Sequence, residues 1–465
     1  MTRKPNILFF FTDDQRFDTI HALNNPQIIT PTFDALVQRG VTFTNAYIMG
    51  GSSGAVCMPS RAMLMTGRTL YHLQAQGQGI PQEHVLLGET LQQAGYTTFG
   101  VGKWHNGPSS YARSFSAGAE IFFGGMNDHW NVPACDFDPT GQYNQTHPFI
   151  RDPFGSNDVR TRRCDHITLG KHSSELFGDA AIDFIRRYDA DAPFFAYISF
   201  MAPHDPRTMP KQYLDLYDPA EIELPPNLAP RHPFDNGALY IRDEKLAAFP
   251  RTAQEIRRHI AEYYAMITHL DAQIGRVLEA LQKSGQAENT IVVLAGDNGL
   301  AIGRHGLMGK QNMYDHSLHV PLILSGPGLP QGKQSAAYCY LLDIYPTLCD
   351  LIGIPVPATV EGKSLAPAIH RDACPRNTLL FAYTQFQRAV QDDGFKLIEY
   401  VVDGQRTTQL YDLEADPWEM HNLAGQPRYA GRLAALRREL LRWRDELDDN
   451  QPYQGEPFWQ GYGSG

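Results

Sequence analysis

The sequence predicts an α/β fold: a large, mixed but mostly parallel sheet sandwiched by helices, followed by a smaller C-terminal domain of antiparallel strands and a closing helix. Three observations predict it. Short apolar runs alternate with helix-period stretches over most of the chain, which is the pattern of βαβ units. Four of those runs end directly at acidic, amide, basic or imidazole side chains. Near Arg376 the pattern changes to closely spaced segments that alternate like antiparallel strands. At 465 residues the chain is long enough for two domains, expected at 1–372 and 373–465.

The elements follow in order. Ile7–Phe11 is the first strand, continuously apolar as a strand covered on both faces should be. Leu86–Ala94 has helical character and stops at Gly95, a C-cap residue, before the strand Thr97–Val101. Phe177, Ala181, Phe184, Ile185 and Tyr188 share one helical face, and the strand Phe194–Phe200 comes next. A long helix over about Ala253–Ser284 precedes the strand Thr290–Leu294. The C-terminal strands are expected at Thr378–Thr384, Arg388–Val390, Phe395–Val401 and Gln409–Tyr411. A helix follows with Leu433, Leu436, Leu440, Trp443 and Leu447 on one face, and the aromatic, Gly-rich end Gln451–Gly465 is expected to drape over a surface.

Composition narrows the function classes. Apolar residues make up 42% and charged residues 20%, which is globular rather than disordered. A net charge of −11 argues against a general nucleic-acid binder, because phosphate contacts need a basic footprint. It leaves room for an anionic small substrate in a local basic pocket. No apolar run approaches the ~20 residues that span a bilayer, so no membrane partner is expected. The six cysteines lack CxxC spacing and read as free thiols. The simplest expectation is a cytoplasmic protein; a periplasmic or secreted chain without its leader would read the same.

The strand ends hold the chemistry. Thr12-Asp13-Asp14-Gln15 follows the first strand, Gly102-Lys103-Trp104-His105 the second, Met201-Ala202-Pro203-His204-Asp205 the third and Gly296-Asp297-Asn298-Gly299 the fourth. Ligands of open α/β sheets bind beyond the carboxyl ends of the strands, so these four clusters are expected to converge. Paired aspartates alone serve as turn or N-cap residues. Asp13, Asp14, Asp297 and Asn298 together offer three carboxylates and one amide oxygen, all hard donors that suit Ca²⁺ or Mg²⁺ rather than zinc. Ca²⁺ is favoured, because four protein ligands with bidentate carboxylates exceed what Mg²⁺ usually takes.

The run Cys57-Met58-Pro59-Ser60-Arg61, with Thr66-Gly67 five residues on, resembles the sulfatase maturation motif Cys-x-Pro-Ser-Arg-x-x-x-x-Thr-Gly. The similarity to type I sulfatases, within the alkaline-phosphatase superfamily, runs from Pro5 to about Asp350 and resumes at Gln409–Pro417. It implies an alkaline-phosphatase-like sheet and oxidation of Cys57 to formylglycine by an activating enzyme. It also implies Asp13, Asp14, Asp297, Asn298 and the matured residue 57 as metal ligands. Arg61, Lys103, His105, His204 and Lys310 match the family's remaining catalytic positions, with Lys103, His204 and Lys310 also touching substrate. The implied reaction is hydrolysis of an organic sulfate ester, most naturally on a carbohydrate.

The physical chemistry of the ester fits those roles. A cation and the two lysines neutralise charge on the sulfuryl oxygens. One hydroxyl of the hydrated aldehyde attacks sulfur and the alcohol departs; a base, His105 by resemblance, then deprotonates the second hydroxyl, expelling sulfate and restoring the aldehyde. His204 or Lys310 protonates the alcohol. Arg61 is expected to hold the nucleophile's loop and the metal-side carboxylates. Alternatives are a phosphonate monoester or phosphodiester hydrolase of the same superfamily and a non-catalytic binder of sulfated glycans.

Two stretches without periodicity are expected to wall the pocket and read the alcohol. One, His105–His172, carries Trp130, Arg151, Arg160, Arg162, Arg163 and His166; the other, Thr208–Arg251, is proline-rich. Arg160 and Arg162 are expected to bind substrate, and Arg388, with Gln387, to reach the pocket from the C-terminal part.

Overall fold

The computed structural model describes residues 4–152, 154–452 and 454–463. Eight strands form the main sheet: β1 (Asn6–Thr12), β2 (Gly40–Phe43), β3 (Thr97–Lys103), β4 (Ala117–Phe122), β5 (Phe194–Ser199), β6 (Thr290–Gly296), β7 (Leu322–Ser325) and β8 (Lys333–Ser335). Their order is β8-β2-β7-β6-β1-β5-β3-β4. The block β6-β1-β5-β3-β4 is parallel, and β7 runs antiparallel to both β6 and β2. The four strands singled out by their chemical ends are therefore adjacent and parallel, so their carboxyl ends open on one side of the sheet.

Side chains alternate across β1 to feed two cores. Ile7, Phe9 and Phe11 join one apolar cluster and Leu8 and Phe10 the other, with no exposed surface on any of the five. The second cluster lies under three helices, α1 (Pro31–Arg39), α3 (Ser173–Arg187) and α4 (Ala253–Lys283). On α3, Phe177, Ala181 and Ile185 are buried, and Phe184 stacks on Phe99 with ring centroids 4.0 Å apart. The first cluster lies under α2 (Cys57–Thr66) and the C-terminal sheet.

That second sheet contains β9 (Thr378–Tyr383), β10 (Gln387–Asp392), β11 (Phe395–Val402) and β12 (Gln405–Asp412), all antiparallel. Its fifth strand is Gly50–Gly51, parallel to β9 and only six residues before Cys57. The closing helix α5 (Ala430–Glu446) buries Leu436 and Leu440. The chain end does not simply drape. Gly455–Gly463 forms a helix, α6, whose Phe458 is fully buried and whose Trp459 donates to Asp449. Aromatic residues at i, i+1 and i+4 gave it an apolar edge that its glycines obscured in the sequence. Among the described residues no helix is long and apolar enough to cross a membrane, and all six cysteines are free.

Candidate active site

The run Cys57–Thr66 is one helix. Cys57 opens α2, Pro59 sits in the first turn where its missing N–H leaves no intrahelical bond unmade, and Gly67 closes the helix in the left-handed region at φ 65°. The Gly67 N–H donates to the Met63 carbonyl at 2.8 Å, and a Cβ there would lie 2.7 Å from Val360. Ser60 and Arg61 sit on the face of α2 that meets the end of β6. Ser60 Oγ donates to the Asp297 carbonyl at 2.7 Å, and Arg61 Nε to Asp297 Oδ2 at 2.9 Å. Arg61 also donates to Ser199 Oγ at 2.6 Å and stands 3.8 Å from Asp13 Oδ1. Buried at 1% exposure, it binds the carboxylates rather than the solvent side.

The carboxylates crowd together. Asp14, at φ 65°, turns its N–H onto Asp297 Oδ1 at 3.0 Å, while Tyr263 from α4 donates to the Asp14 carbonyl at 2.5 Å. Lys310 Nζ and Asn298 Nδ2 both donate to Asp14 Oδ1 at 2.6 Å. Lys103 Nζ pairs with Asp13 Oδ2 and lies 3.7 Å from Cys57 Sγ. His105 Nδ1 is 3.5 Å from the same sulfur, and His204 Nε2 is 3.7 Å from Asp14 Oδ2. So Asp13, Asp14, Cys57, Arg61, Lys103, His105, His204, Asp297, Asn298 and Lys310 are brought into one cluster.

The donor set fits a divalent cation. Asp13 Oδ1, Asp14 Oδ2 and Asn298 Oδ1 are buried without a hydrogen-bond partner, a costly condition unless a cation satisfies them. Ligand atoms of Asp13, Asp14 and His204 lie within 4.8 Å of one another, and so do those of Asp13, Cys57 and Asp297. These three orphaned acceptors are hard oxygens, the preference of Ca²⁺ and Mg²⁺.

Charge in the cluster is uneven. Burial, and then Asp13, pushes the Asp297 carboxyl up to about 7, against Arg61 and Lys103. Burial also acts to raise Asp13, but Lys103, His204, Arg61 and Lys310 outweigh it and hold that carboxyl well below the usual range. Burial, then Lys103 and Arg61, drives His105 down to about 2, so its imidazole is neutral. Burial raises the Cys57 thiol despite Lys103 and Lys310. That is the opposite of the tuning a thiolate nucleophile needs.

Three expected substrate residues have recorded partners outside the cluster. Arg388 is fully buried, its Nε 2.6 Å and its Nη2 2.9 Å from the Asp449 carboxylate, with its guanidinium over Phe458. It ties α6 and the segment before it to β10 and does not reach the cluster. Arg160 and Arg162 stand on the hairpin Thr146–Ile150/Val159–Arg163, where Arg160 pairs with Asp158 at 2.9 Å and Arg162 covers Phe149. Both of these contacts lie within the hairpin. Gln387 donates to the carbonyls of Asn236 and Gln311, the neighbour of Lys310.

Several supporting residues gave no sequence signal. Ser199 and Tyr263 look like ordinary strand-end and core residues, and only the fold places their hydroxyls on Arg61 and Asp14. His129, in the first long loop, is buried, with Nδ1 2.7 Å from Ser173 Oγ and Nε2 3.1 Å from the His204 carbonyl.

Comparison with known proteins shows the family and the fold. The family model described as Sulfatase matches residues 5–354, and one described as N-sulphoglucosamine sulphohydrolase, C-terminal, matches residues 303–446. A protein called sulfatase from Formosa agariphila is 30% identical over 98% of this chain and 90% of its own length. A solved protein in complex with its substrate D-glucosamine-2-N,6-O-disulfate superposes with a TM-score of 0.74 at 25% identity, covering 97% of this chain and 99% of that one. The phosphonate monoester hydrolase of Agrobacterium radiobacter shares the fold, with a TM-score of 0.73 at 22% identity and 96% of each chain covered.

Proposed function

The chain belongs to the sulfatase family, and from that premise we propose that it hydrolyses sulfate esters on a carbohydrate, with sulfated glucosamine the first substrate to try. We further propose that Cys57 is matured to formylglycine by an activating enzyme, and that Asp13, Asp14, Asp297 and Asn298 hold Ca²⁺. The observation that supports this best is the setting of residue 57. Its Sγ marks where an oxygen on the same Cβ would stand, 3.7 Å from Lys103 Nζ and 3.5 Å from His105 Nδ1, beside carboxylate oxygens that lack partners. A bound divalent cation supplies charge neutralisation for the sulfuryl oxygens and acidifies a hydroxyl at position 57.

The chain's own residues divide the remaining work. Lys103 and Lys310 add positive charge on the side where negative charge develops. His105, neutral and next to residue 57, takes the proton whose removal expels sulfate. His204 keeps Nδ1 on the Asp205 carbonyl at 2.8 Å, which leaves Nε2 facing the cluster; with Lys310 it serves the departing alcohol. The raised thiol of Cys57 supports an oxygen nucleophile made from that residue over the thiol itself. The sugar preference draws on the substrate of the solved relative and on the C-terminal family model.

The test is a matched series: 4-nitrophenyl sulfate, the corresponding phosphate diester and phosphonate monoester, and D-glucosamine-2-N,6-O-disulfate followed by sulfate release. Faster turnover of the sulfates, including release from the sugar, is expected. A large preference for the phosphorus esters would move the protein to the other arm of the superfamily.

A further inference from the structure

The proline-rich stretch Thr208–Arg251 ends near three consecutive residues whose side chains reach three different parts of the site. Arg242 forks onto the Asp205 carboxylate, Nη1 to Oδ1 at 2.8 Å and Nη2 to Oδ2. Asp205 is buried, directly follows His204, and offers its carbonyl to His204 Nδ1. Asp243 Oδ2 accepts from Gln311 Nε2 at 2.6 Å. That amide also donates to the Gly54 carbonyl at 2.8 Å, three residues before Cys57, while Gln311 Oε1 accepts the Lys310 N–H at 3.0 Å. Glu244, 4% exposed, accepts the N–H groups of Met308 at 3.0 Å and Gly309 at 2.8 Å, and pairs with Arg251 Nη2 at 2.6 Å.

We propose that Arg242-Asp243-Glu244 is a clasp that positions His204 and Lys310 against the substrate, a role that rests on the reading of those two residues as the groups serving the ester. The loop bearing Lys310 needs such a holder. It contains Gly303, Gly306 and Gly309, the first two in the left-handed region, so its own backbone preference defines little. Gly309 is also where the clasp makes closest approach. A Cβ there would stand 2.5 Å from Gln311 Oε1, 2.9 Å from Asp243 Cβ and 3.2 Å from Glu244 Oε1. A buried carboxylate satisfied by two backbone donors and an arginine is a rigid anchor, whereas a half-satisfied one would be a liability. The Lys310 ammonium lies 2.6 Å from Asp14, so a shift of the loop by even ~1 Å is enough to cost on the order of a hundredfold in rate. Arg242 and Glu244 are positioning residues: they act through His204 and Lys310 respectively.

Coupling measurements test this. Wild type, Glu244→Gln, Arg242→Met, Lys310→Ala, His204→Ala and the four cross pairs are prepared with the same content of formylglycine by mass spectrometry and assayed with Ca²⁺ on 4-nitrophenyl sulfate. Glu244→Gln is expected to lower kcat roughly 10- to 100-fold with KM nearly unchanged, and to lower it less than about threefold further once Lys310 is alanine. Arg242→Met is expected to couple in the same way to His204→Ala and not to Lys310→Ala. If Glu244→Gln fails to fold by thermal melt, Asp243→Ala, at a partly exposed position, replaces it and is expected to couple to Lys310→Ala. Losses that multiply in every pair, or that couple equally to both catalytic residues, overturn the clasp. A wild type that ignores sulfates but turns over the phosphonate fails the proposed function instead, and the same pairs are then run on the phosphonate.

Discussion

Arg61 shows how much one side chain does at this site. It spans Asp297, Ser199 and the neighbourhood of Asp13 from a position with almost no solvent exposure. Removing one partner of a buried ion pair leaves the other uncompensated, typically at about 3–5 kcal/mol. Arg61→Met should therefore lower stability by that order in urea unfolding, and added Ca²⁺, the proposed ligand of the same carboxylates, should recover more stability in the variant than in wild type. A loss below about 1 kcal/mol would mean that Arg61 is not bracing them. The motif match at Cys57 made this residue legible in the sequence. Arg388 was not legible in the same way. An arginine on a strand looks like a surface or substrate residue, and only α6 folding over it, with Asp449, makes it internal.

The start of α1 is held by a residue distant in the chain. Pro31 opens α1, and the carboxylate of Asp271, on α4, accepts the N–H groups of Thr32 at 3.1 Å and Phe33 at 2.7 Å. Burial pushes this carboxyl from 3.8 up to about 6, despite those two bonds. A carboxyl whose folded value is raised favours the folded state most below pH 3.8, and that contribution is lost as pH rises through about 6. At ~1.4 kcal/mol per pH unit the loss is roughly 3 kcal/mol. Chemical denaturation of wild type and Asp271→Asn from pH 4 to 7 should show wild type losing stability relative to the variant by that order; parallel curves would contradict it. The four strands that end in chemistry were legible because parallel strands buried on both faces read as unbroken apolar runs. The cap from α4 was not, since its two partners are about 240 residues apart and nothing local marks the pairing.

Across the whole molecule, the two sheets are joined by shared interior rather than by a linker. One apolar cluster contains Phe9 and Phe11 of the main sheet together with Leu379, Phe381 and Leu397 of the second. A charged triad around the buried Lys396 crosses the same boundary: Lys396 Nζ pairs with the half-buried Asp315 and lies 2.8 Å from the buried Glu419, whose Oε2 accepts the Asp315 N–H at 2.8 Å. Lys396→Met should strip both carboxylates of their cation and lower the melting temperature of the whole protein in a single calorimetric transition. An early melt confined to the C-terminal part, with the rest unchanged, would show the two sheets to be independent. Chain order hid this union. Gly50–Gly51 belongs to the second sheet although some 330 residues separate it from β9, and a two-residue glycine strand has no pattern to detect.

Residue 57 is proposed to work only after it has ceased to be a cysteine. The direct measurement is the initial rate of 4-nitrophenyl sulfate hydrolysis across preparations whose formylglycine fraction at position 57 has been set by co-expressing an activating enzyme and read by mass spectrometry. The rate should rise in proportion to that fraction, pass through zero at zero conversion, and be absent in Cys57→Ala. A rate independent of the fraction, or undiminished turnover by the unconverted cysteine, would contradict it.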